Sequence, residues 1–215
     1  MEIINDKERD YLENYGASYI SNRITRLLKE KNHVTLGVVG GTSVKGIYSK
    51  LSEKELEWDR VHVFMIDERY VPLDHEDSNF RLVKENLKKG NLHPFDHKRP
   101  LSNYSNELDT YGNLDIVVLS SGEDGHIGAL YPNHHSIKNN FPKFISMGDS
   151  PKPPQKRMTA SRKMIEKADD GLLLFFGAGK TDAYFKYKLR TNSVEDCPAQ
   201  ICKSYKHGRA LVNLF

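Results

Sequence analysis

Cysteine, tryptophan and long apolar runs are all scarce in this 215-residue chain. It has two cysteines and one tryptophan. Two cysteines make no disulfide framework, and Cys197 and Cys202 are not a C-x-x-C pair, so we expect reduced thiols and a cytoplasmic protein. No run approaches the ~20 apolar residues of a membrane span, and the polar residues 1–10 predict no signal peptide. These absences argue against a membrane partner.

An excess of one charge is also lacking. The chain has 32 basic and 29 acidic residues, a formal net charge of +3, and the two signs are interspersed along it. That pattern predicts no nucleic-acid partner but is compatible with a small anionic ligand. The content of 38% hydrophobic and 28% charged residues is that of a globular protein, and the length suits one domain over residues 1–215.

Four apolar runs, at residues 34–39, 61–66, 115–120 and 171–176, are typical of buried parallel strands. Helical patterns alternate with them, and this alternation predicts an α/β fold: an open, mainly parallel sheet flanked by helices on both faces, Rossmann-like and doubly wound. The predicted helices are an amphipathic one before the first strand and others near 44–54, 78–88, 159–168 and 181–190. A last short strand is expected at 210–215, and residues 93–111, polar and proline-bearing, are expected to be irregular.

Each of these apolar runs ends in residues able to bind or react. Gly122-Glu123-Asp124-Gly125-His126 follows the third run. Open α/β sheets place their ligand crevice outside the carboxyl ends of the strands, and glycines let the backbone turn sharply there. His126 can exchange protons near neutral pH, with a carboxylate two residues away to orient it.

The first run ends in Gly40-Gly41-Thr42-Ser43, ahead of a helical pattern. This is neither a G-x-G-x-x-G fingerprint nor a Walker A loop. A glycine turn at a helix start can still cradle an anion with unpaired N–H groups, although a Gly-Gly pair alone is more often only a tight turn.

The other two runs end in charged residues. The second ends in Asp67-Glu68-Arg69, which would be costly to bury unless paired or used. The fourth ends in Gly177-Ala178-Gly179-Lys180. A lysine at a helix start is unfavourable next to the positive end of the helix dipole, so its presence suggests that an anion binds there. Viewed alone, Lys180 could equally be an exposed surface lysine, Arg157 would by default be a surface charge, and the pair His134-His135 is more often exposed than ligating.

Several of these segments resemble the 6-phosphogluconolactonases, in the wider family that includes glucosamine-6-phosphate deaminases. The blocks that carry the resemblance are GGTSVKGIY (40–48), WDRVHVFMIDERYVPLDHEDSNFRL (58–82), GEDGHIGALYP (122–132), SPKPPQKRMT (150–159) and GAGK (177–180). They occur in the family's order. The chain departs from the family pattern in three places. Its loop at residues 40–44 lacks the proline of the family's GGSTP loop, and Ile127 and Ala129 stand where the family usually has Thr and Ser. The segment 90–112 is shorter than in relatives.

The resemblance implies hydrolysis of 6-phosphoglucono-δ-lactone to 6-phosphogluconate in the pentose phosphate pathway. It implies His126 as general base, oriented by Asp124 or Glu123, with Arg69 stabilising charge or holding phosphate and Asp67 beside it. The predicted phosphate pocket consists of Gly40, Gly41, Thr42, Ser43, Arg157 and Lys180. A lactone is already an activated ester, so no metal or other cofactor is expected. The expected partner is the small sugar-phosphate lactone, and the chain is expected to be a monomer or small homo-oligomer.

Two other functions stay open. Deaminases of the family have a glutamate five residues after the histidine, where this chain has Tyr131. That difference and the Asp-Glu-Arg-Tyr-Val-Pro string favour the lactonase, while Ile127 leans towards the deaminase. A non-catalytic sugar-phosphate sensor would keep the phosphate loop and have no need of His126.

Overall fold

A computed structural model describes residues 1–189 and 191–215. Within them, seven strands form one parallel sheet in the order β1-β10-β9-β6-β2-β3-β5, and three short strands form an antiparallel sheet in the order β4-β8-β7. The strands are β1 (Glu2–Asn5), β2 (Val34–Val38), β3 (Val61–Met65), β4 (Asp67–Arg69), β5 (Asn91–His93), β6 (Ile116–Ser120), β7 (Ile145–Met147), β8 (Arg157–Thr159), β9 (Asp170–Phe176) and β10 (His207–Asn213).

Helices connect these strands. They are α1 (Arg9–Leu27), α2 (Lys45–Ser52), α3 (Asn79–Leu87), α4 (Leu101–Asp109), α5 (His135–Lys138), α6 (Arg162–Glu166) and α7 (Thr181–Lys188). The central strands β2, β6 and β9 are buried almost throughout, which explains their continuous apolar sequence.

The pleat of β9 shows that helices cover both faces of the sheet. A Cβ on Gly16 of α1 would lie 3.2 Å from Leu172, so α1 packs closely on that face. Phe175, three residues after Leu172 on the same strand, contacts Tyr184 and Tyr187 of α7. Successive strand residues point to opposite faces, so α1 and α7 lie on opposite sides. The predicted fold class is confirmed.

The four predicted buried strands are confirmed within a residue or two at each end, as β2, β3, β6 and β9. The predicted helices near 44–54 and 78–88 are α2 and α3. The helix predicted near 181–190 is α7, which ends at Lys188; residue 190 lies outside the described residues. The last strand begins three residues before the predicted start, at His207.

Other expectations were wrong. Residues 93–111 are not irregular, because they include the end of β5 and the nine-residue helix α4. The helix expected near 159–168 is only α6, and the segment before it is β8, which pairs with β4 and β7. β1 was not predicted at all. In the described part of the chain, no helix has the length and apolar character needed to cross a bilayer.

Candidate active site

The carboxyl ends of β2, β6 and β9, with β4, open into one cleft of about 440 Å³. It is lined by Val39, Gly40, Gly41, Thr42, Ser43, Asp67, Arg69, Asn79, Ser120, Ser121, Gly122, Glu123, His126, Gly128, Lys152, Arg157, Phe176 and Lys180. The structure thus brings together every site residue predicted from the sequence except Asp124, which lies behind His126. The cleft wall has four cationic side chains and two carboxylates, so it favours an anionic ligand.

His126 is held over the turn that precedes it. A Cβ on Gly122 would lie 2.0 Å from the His126 ring, so only glycine fits there. The Gly122 N–H donates to the His126 carbonyl at 2.8 Å. Gly125 adopts φ +97° and its carbonyl accepts from Ala199 N–H at 3.0 Å, which ties the turn to the segment before β10. The imidazole is therefore fixed in place at the cleft wall.

Asp124 orients this imidazole. Its Oδ1 lies 2.5 Å from His126 Nδ1 and also accepts the His126 backbone N–H at 3.2 Å. Burial would raise the pKa of the Asp124 carboxyl, but the hydrogen bond and charge of His126 outweigh burial and hold that pKa well below its usual range. With Nδ1–H directed at an ionised carboxylate, the neutral ring has Nε2 free to accept a proton.

Two loops beside His126 follow the same backbone course. Gly41 has φ 105° and ψ 162°, and Gly177 has φ 100° and ψ 151°. This region is essentially restricted to glycine. Each glycine leads into a 3₁₀ turn, at Thr42–Val44 and Ala178–Lys180, and then into α2 or α7. The first N–H groups of such turns lack partners within the helix, so both loops present donors suited to an anion.

The two acidic residues after β3, Asp67 and Glu68, have different surroundings. Glu68 is 1% exposed and accepts from the N–H groups of Arg69, Asn79 and Phe80 at 2.7–2.8 Å, so it anchors the start of α3. Burial raises the pKa of this carboxyl, against the lowering effect of those hydrogen bonds. Asp67 instead lines the cleft, and its backbone carbonyl accepts from Asn79 Nδ2 at 2.8 Å.

Arg157 is buried, which corrects the surface charge that the residue suggests when viewed alone. It is 5% exposed, and its Nη1 lies 3.8 Å from Asp67 Oδ2. Nε and Nη2 donate to the carbonyls of Pro154 and Pro153 at 3.0 and 2.9 Å. The guanidinium therefore fixes the proline loop that carries Lys152 to the cleft.

Lys180 lies between charges of both signs. Burial lowers the pKa of its ammonium and nearby Lys152 lowers it further, while Glu123 and Asp124 oppose the shift. A Cβ on Gly179 would lie 2.7 Å from Glu123 Oε1, so that carboxylate packs against the Lys180 loop. A bound anion would offset the repulsion between the Lys180 and Lys152 ammonium groups and the cost of burying them.

Sequence reasoning missed several residues of the cleft, above all Asn79 and Lys152. Lys152 belongs to the SPKPPQKRMT block, and its position between prolines was the available signal. Asn79 is set against the first loop: a Cβ on Gly40 would lie 2.0 Å from its Oδ1. That contact is long-range and has no sequence pattern.

An open parallel sheet with a cationic cleft and a histidine–carboxylate pair at its carboxyl edge defines an α/β protein whose cleft is suited to a small anionic ligand. The chain matches the family model described as glucosamine-6-phosphate isomerases/6-phosphogluconolactonase over residues 7–212, and it belongs to that family. The resemblance found in the sequence is confirmed.

Individual relatives agree. A 6-phosphogluconolactonase of Synechocystis is 31% identical over 183 residues, covering 76% of this chain and 75% of its own. A 6-phosphogluconolactonase from Borreliella burgdorferi is 27% identical over 230 residues, and the match covers 100% of this chain and 96% of that protein. Among solved structures, 6-phosphogluconolactonase from Thermotoga maritima superposes with a TM-score of 0.86 at 24% identity, covering 99% of both chains. A monomeric glucosamine-6-phosphate deaminase superposes with a TM-score of 0.79 at 22% identity, covering 99% of this chain and 97% of that protein. Both activities therefore occur on this fold.

Proposed function

We propose that this protein hydrolyses 6-phosphoglucono-δ-lactone to 6-phosphogluconate, a step of the pentose phosphate pathway. The observation that carries the proposal is the His126–Asp124 pair, with Nδ1 and Oδ1 2.5 Å apart, in a cleft lined by four cations. Family membership, and the lactonase names of relatives that match most of the chain, support the choice of substrate.

In the proposed reaction, His126 Nε2 accepts a proton from water as the oxygen attacks the lactone carbonyl. The tetrahedral intermediate then breaks its bond to the ring oxygen, and the imidazolium returns the proton to that oxygen. Asp124 holds the tautomer and stabilises the transient imidazolium. Arg69, at the end of β4 and on the cleft wall, would stabilise the developing oxyanion or hold the substrate.

The phosphate of the substrate would bind among Gly40–Ser43, Arg157 and Lys180. Turned backbone N–H groups and charge-assisted donors together suit a dianion. A cleft of about 440 Å³ accommodates a ligand of this size.

Tyr131 argues against the deaminase alternative. It occupies the place of the deaminase glutamate, with its ring centroid 4.8 Å from that of His126. Burial raises the pKa of its hydroxyl, which accepts a hydrogen bond from Ser150 Oγ at 2.9 Å. A neutral, buried phenol does not supply the carboxylate that assists ring opening.

One assay of the purified protein tests the proposal. We expect 6-phosphogluconolactone to disappear faster than by spontaneous hydrolysis, and no ammonia to be released from glucosamine 6-phosphate. Ammonia release would establish the deaminase instead. Binding of the sugar phosphate with no turnover of either substrate would establish a sensor.

A further inference from the structure

Two imidazoles and a carboxylate meet outside the cleft, at the start of α5. His135 Nε2 lies 2.9 and 3.1 Å from the two carboxylate oxygens of Asp149. His134 Nε2 lies 3.5 Å from Asp149 Oδ2, and the two histidine rings are 4.0 Å apart. One ligand atom of each residue lies within 4.8 Å of the others.

These separations suit a metal ion. Bonds of about 2.0–2.1 Å at tetrahedral angles place neighbouring ligand atoms about 3.3–3.4 Å apart. The distances from Asp149 Oδ2 to the Nε2 atoms of His135 and His134, 3.1 and 3.5 Å, bracket that value. Two imidazole nitrogens and one carboxylate are donors that Zn²⁺ and similar borderline cations accept. We propose that His134, His135 and Asp149 form a site for a divalent transition-metal ion of the zinc type, with its remaining positions open to water.

His134 Nε2 supports this proposal independently. The atom is buried and has no hydrogen-bond partner among the residues that the structure describes. Buried polar atoms are normally paired, because losing water without a new partner costs free energy. A bound cation would satisfy this nitrogen.

The surroundings of His134 provide an outer partner for such a ligand. Its Nδ1 lies 3.0 Å from Ser136 Oγ and accepts the Ser136 N–H at 3.2 Å. When Nε2 binds the ion, Nδ1 carries the proton, gives up the hydrogen bond from the Ser136 N–H and donates to the Ser136 hydroxyl instead, the arrangement usual for metal-bound histidine. Metal binding would thus switch the tautomer of His134.

The third ligand is available at neutral pH. An exposed aspartate is ionised well below neutral pH, so its oxygens can bind a cation. Both His135 and Asp149 are exposed, which leaves an ion a route from solvent.

The proposed metal site, defined by these three residues, is connected to Tyr131 from two sides. Ser136 Oγ accepts the Tyr131 N–H at 3.1 Å, and Ser150, next to Asp149, donates to the Tyr131 hydroxyl. An ion would therefore brace the two segments that hold the ring packed on His126. It would do so without entering the catalytic cleft.

The test is a calorimetric titration of the untagged, chelator-treated protein with Zn²⁺. We expect one ion per chain and a Zn²⁺-dependent rise in Tm. Three variants should bind at least ~10-fold more weakly: His135→Ala, Asp149→Asn and His134→Asn. Asparagine retains an acceptor for the N-terminus of α5.

His75→Ala is the matched control, because His75 also lies beside a carboxylate, Asp77 at 3.7 Å, but without a second histidine. It should bind Zn²⁺ like the wild type. Co²⁺ in place of Zn²⁺ should give the visible absorption of a four-coordinate site in the wild type and lose it in His135→Ala. Absence of binding to the wild type, or unchanged affinity in the folded His135→Ala and Asp149→Asn variants, would overturn the proposal.

Discussion

At the scale of single residues, His126 is held in a fixed position but contributes little to the packing of the core. Its side chain is 18% exposed, and it lies at the cleft wall rather than in the core. Chemistry and stability can therefore be separated by substitution at this position.

We expect His126→Gln to lower kcat for the lactone by roughly 10²–10⁴-fold, the usual loss for a positioned general base. The free energy of unfolding should change by about 1 kcal/mol or less, since no large core cavity forms. Stopped-flow assay and urea denaturation measure the two effects. His207→Gln, at the far end of the sheet, is the control and should keep full activity. A folded His126→Gln protein with wild-type turnover would end the proposed mechanism.

Lys180 provides a test of where the phosphate binds. Lys180→Ala should raise KM for the phosphorylated lactone by ~10–100-fold, the loss expected for one charge-assisted hydrogen bond. Glucono-δ-lactone, which lacks the phosphate, should be affected far less. Lys45→Ala, an exposed lysine at the start of α2, should leave both KM values unchanged. Equal increases for both substrates would place the phosphate elsewhere.

The candidate site was largely predictable at this scale because its residues cluster at the ends of four strong strand patterns. His126, Arg69 and Lys180 each lie a few residues after such a run. Asn79 and Lys152 were missed because they reach the cleft through a helix start and a proline loop.

At the scale of elements, the two glycine turns after β2 and β9 stand out, because each adopts a backbone conformation that other residues avoid. Gly41→Ala should cost on the order of 1–3 kcal/mol even though a Cβ there meets no atom within 4 Å. It should also weaken inorganic phosphate binding. Gly148→Ala is the matched control, since that glycine is equally open but lacks a positive φ. Chemical denaturation of both variants gives the comparison, and equal stability of the two would show that the loop tolerates alanine.

The elements missed from the sequence are short or depend on distant partners. β4, β7 and β8 have three residues each, too few for an alternation to be recognised. β1 is a strand only because β10 pairs with it. In α4, the buried Tyr104 and Leu108 show the helical spacing, but the polar residues between them conceal it. Tertiary contacts, rather than local preference, decide these segments.

At the scale of the whole molecule, stability should depend on pH through a histidine cluster under α4. His62 Nδ1 lies 2.9 Å from His93 Nε2, and His93 Nδ1 lies 2.6 Å from Glu107 Oε1. The ring of His33 packs edge-on against that of His62. Burial lowers the pKa of His62, and the charges of His93 and His33 lower it further.

Since the pKa of His62 is lower in the folded state, the unfolded chain binds more protons in acid. The stabilisation from neutral His62 is present above the unfolded-state pKa of about 6.5 and is lost as pH falls through the folded-state value. We expect the urea midpoint to fall between pH 7.5 and 5, and to fall less in His62→Phe. His75→Ala, an exposed histidine, should follow the wild type. An identical slope in His62→Phe would show that other groups govern acid sensitivity.

The position of β1 at one edge of the sheet has a consequence for biosynthesis. β1 pairs with β10 and with no other strand of the described chain, and α1 packs on β10, β9 and β6. The ribosome makes Glu2–Asn5 about 200 residues before its partner His207–Asn213. At 5–20 residues per second, the first strand waits roughly 10–40 s for its partner. During that interval the nascent chain exposes an unpaired edge, which makes it a candidate client of chaperones that bind emerging polypeptides.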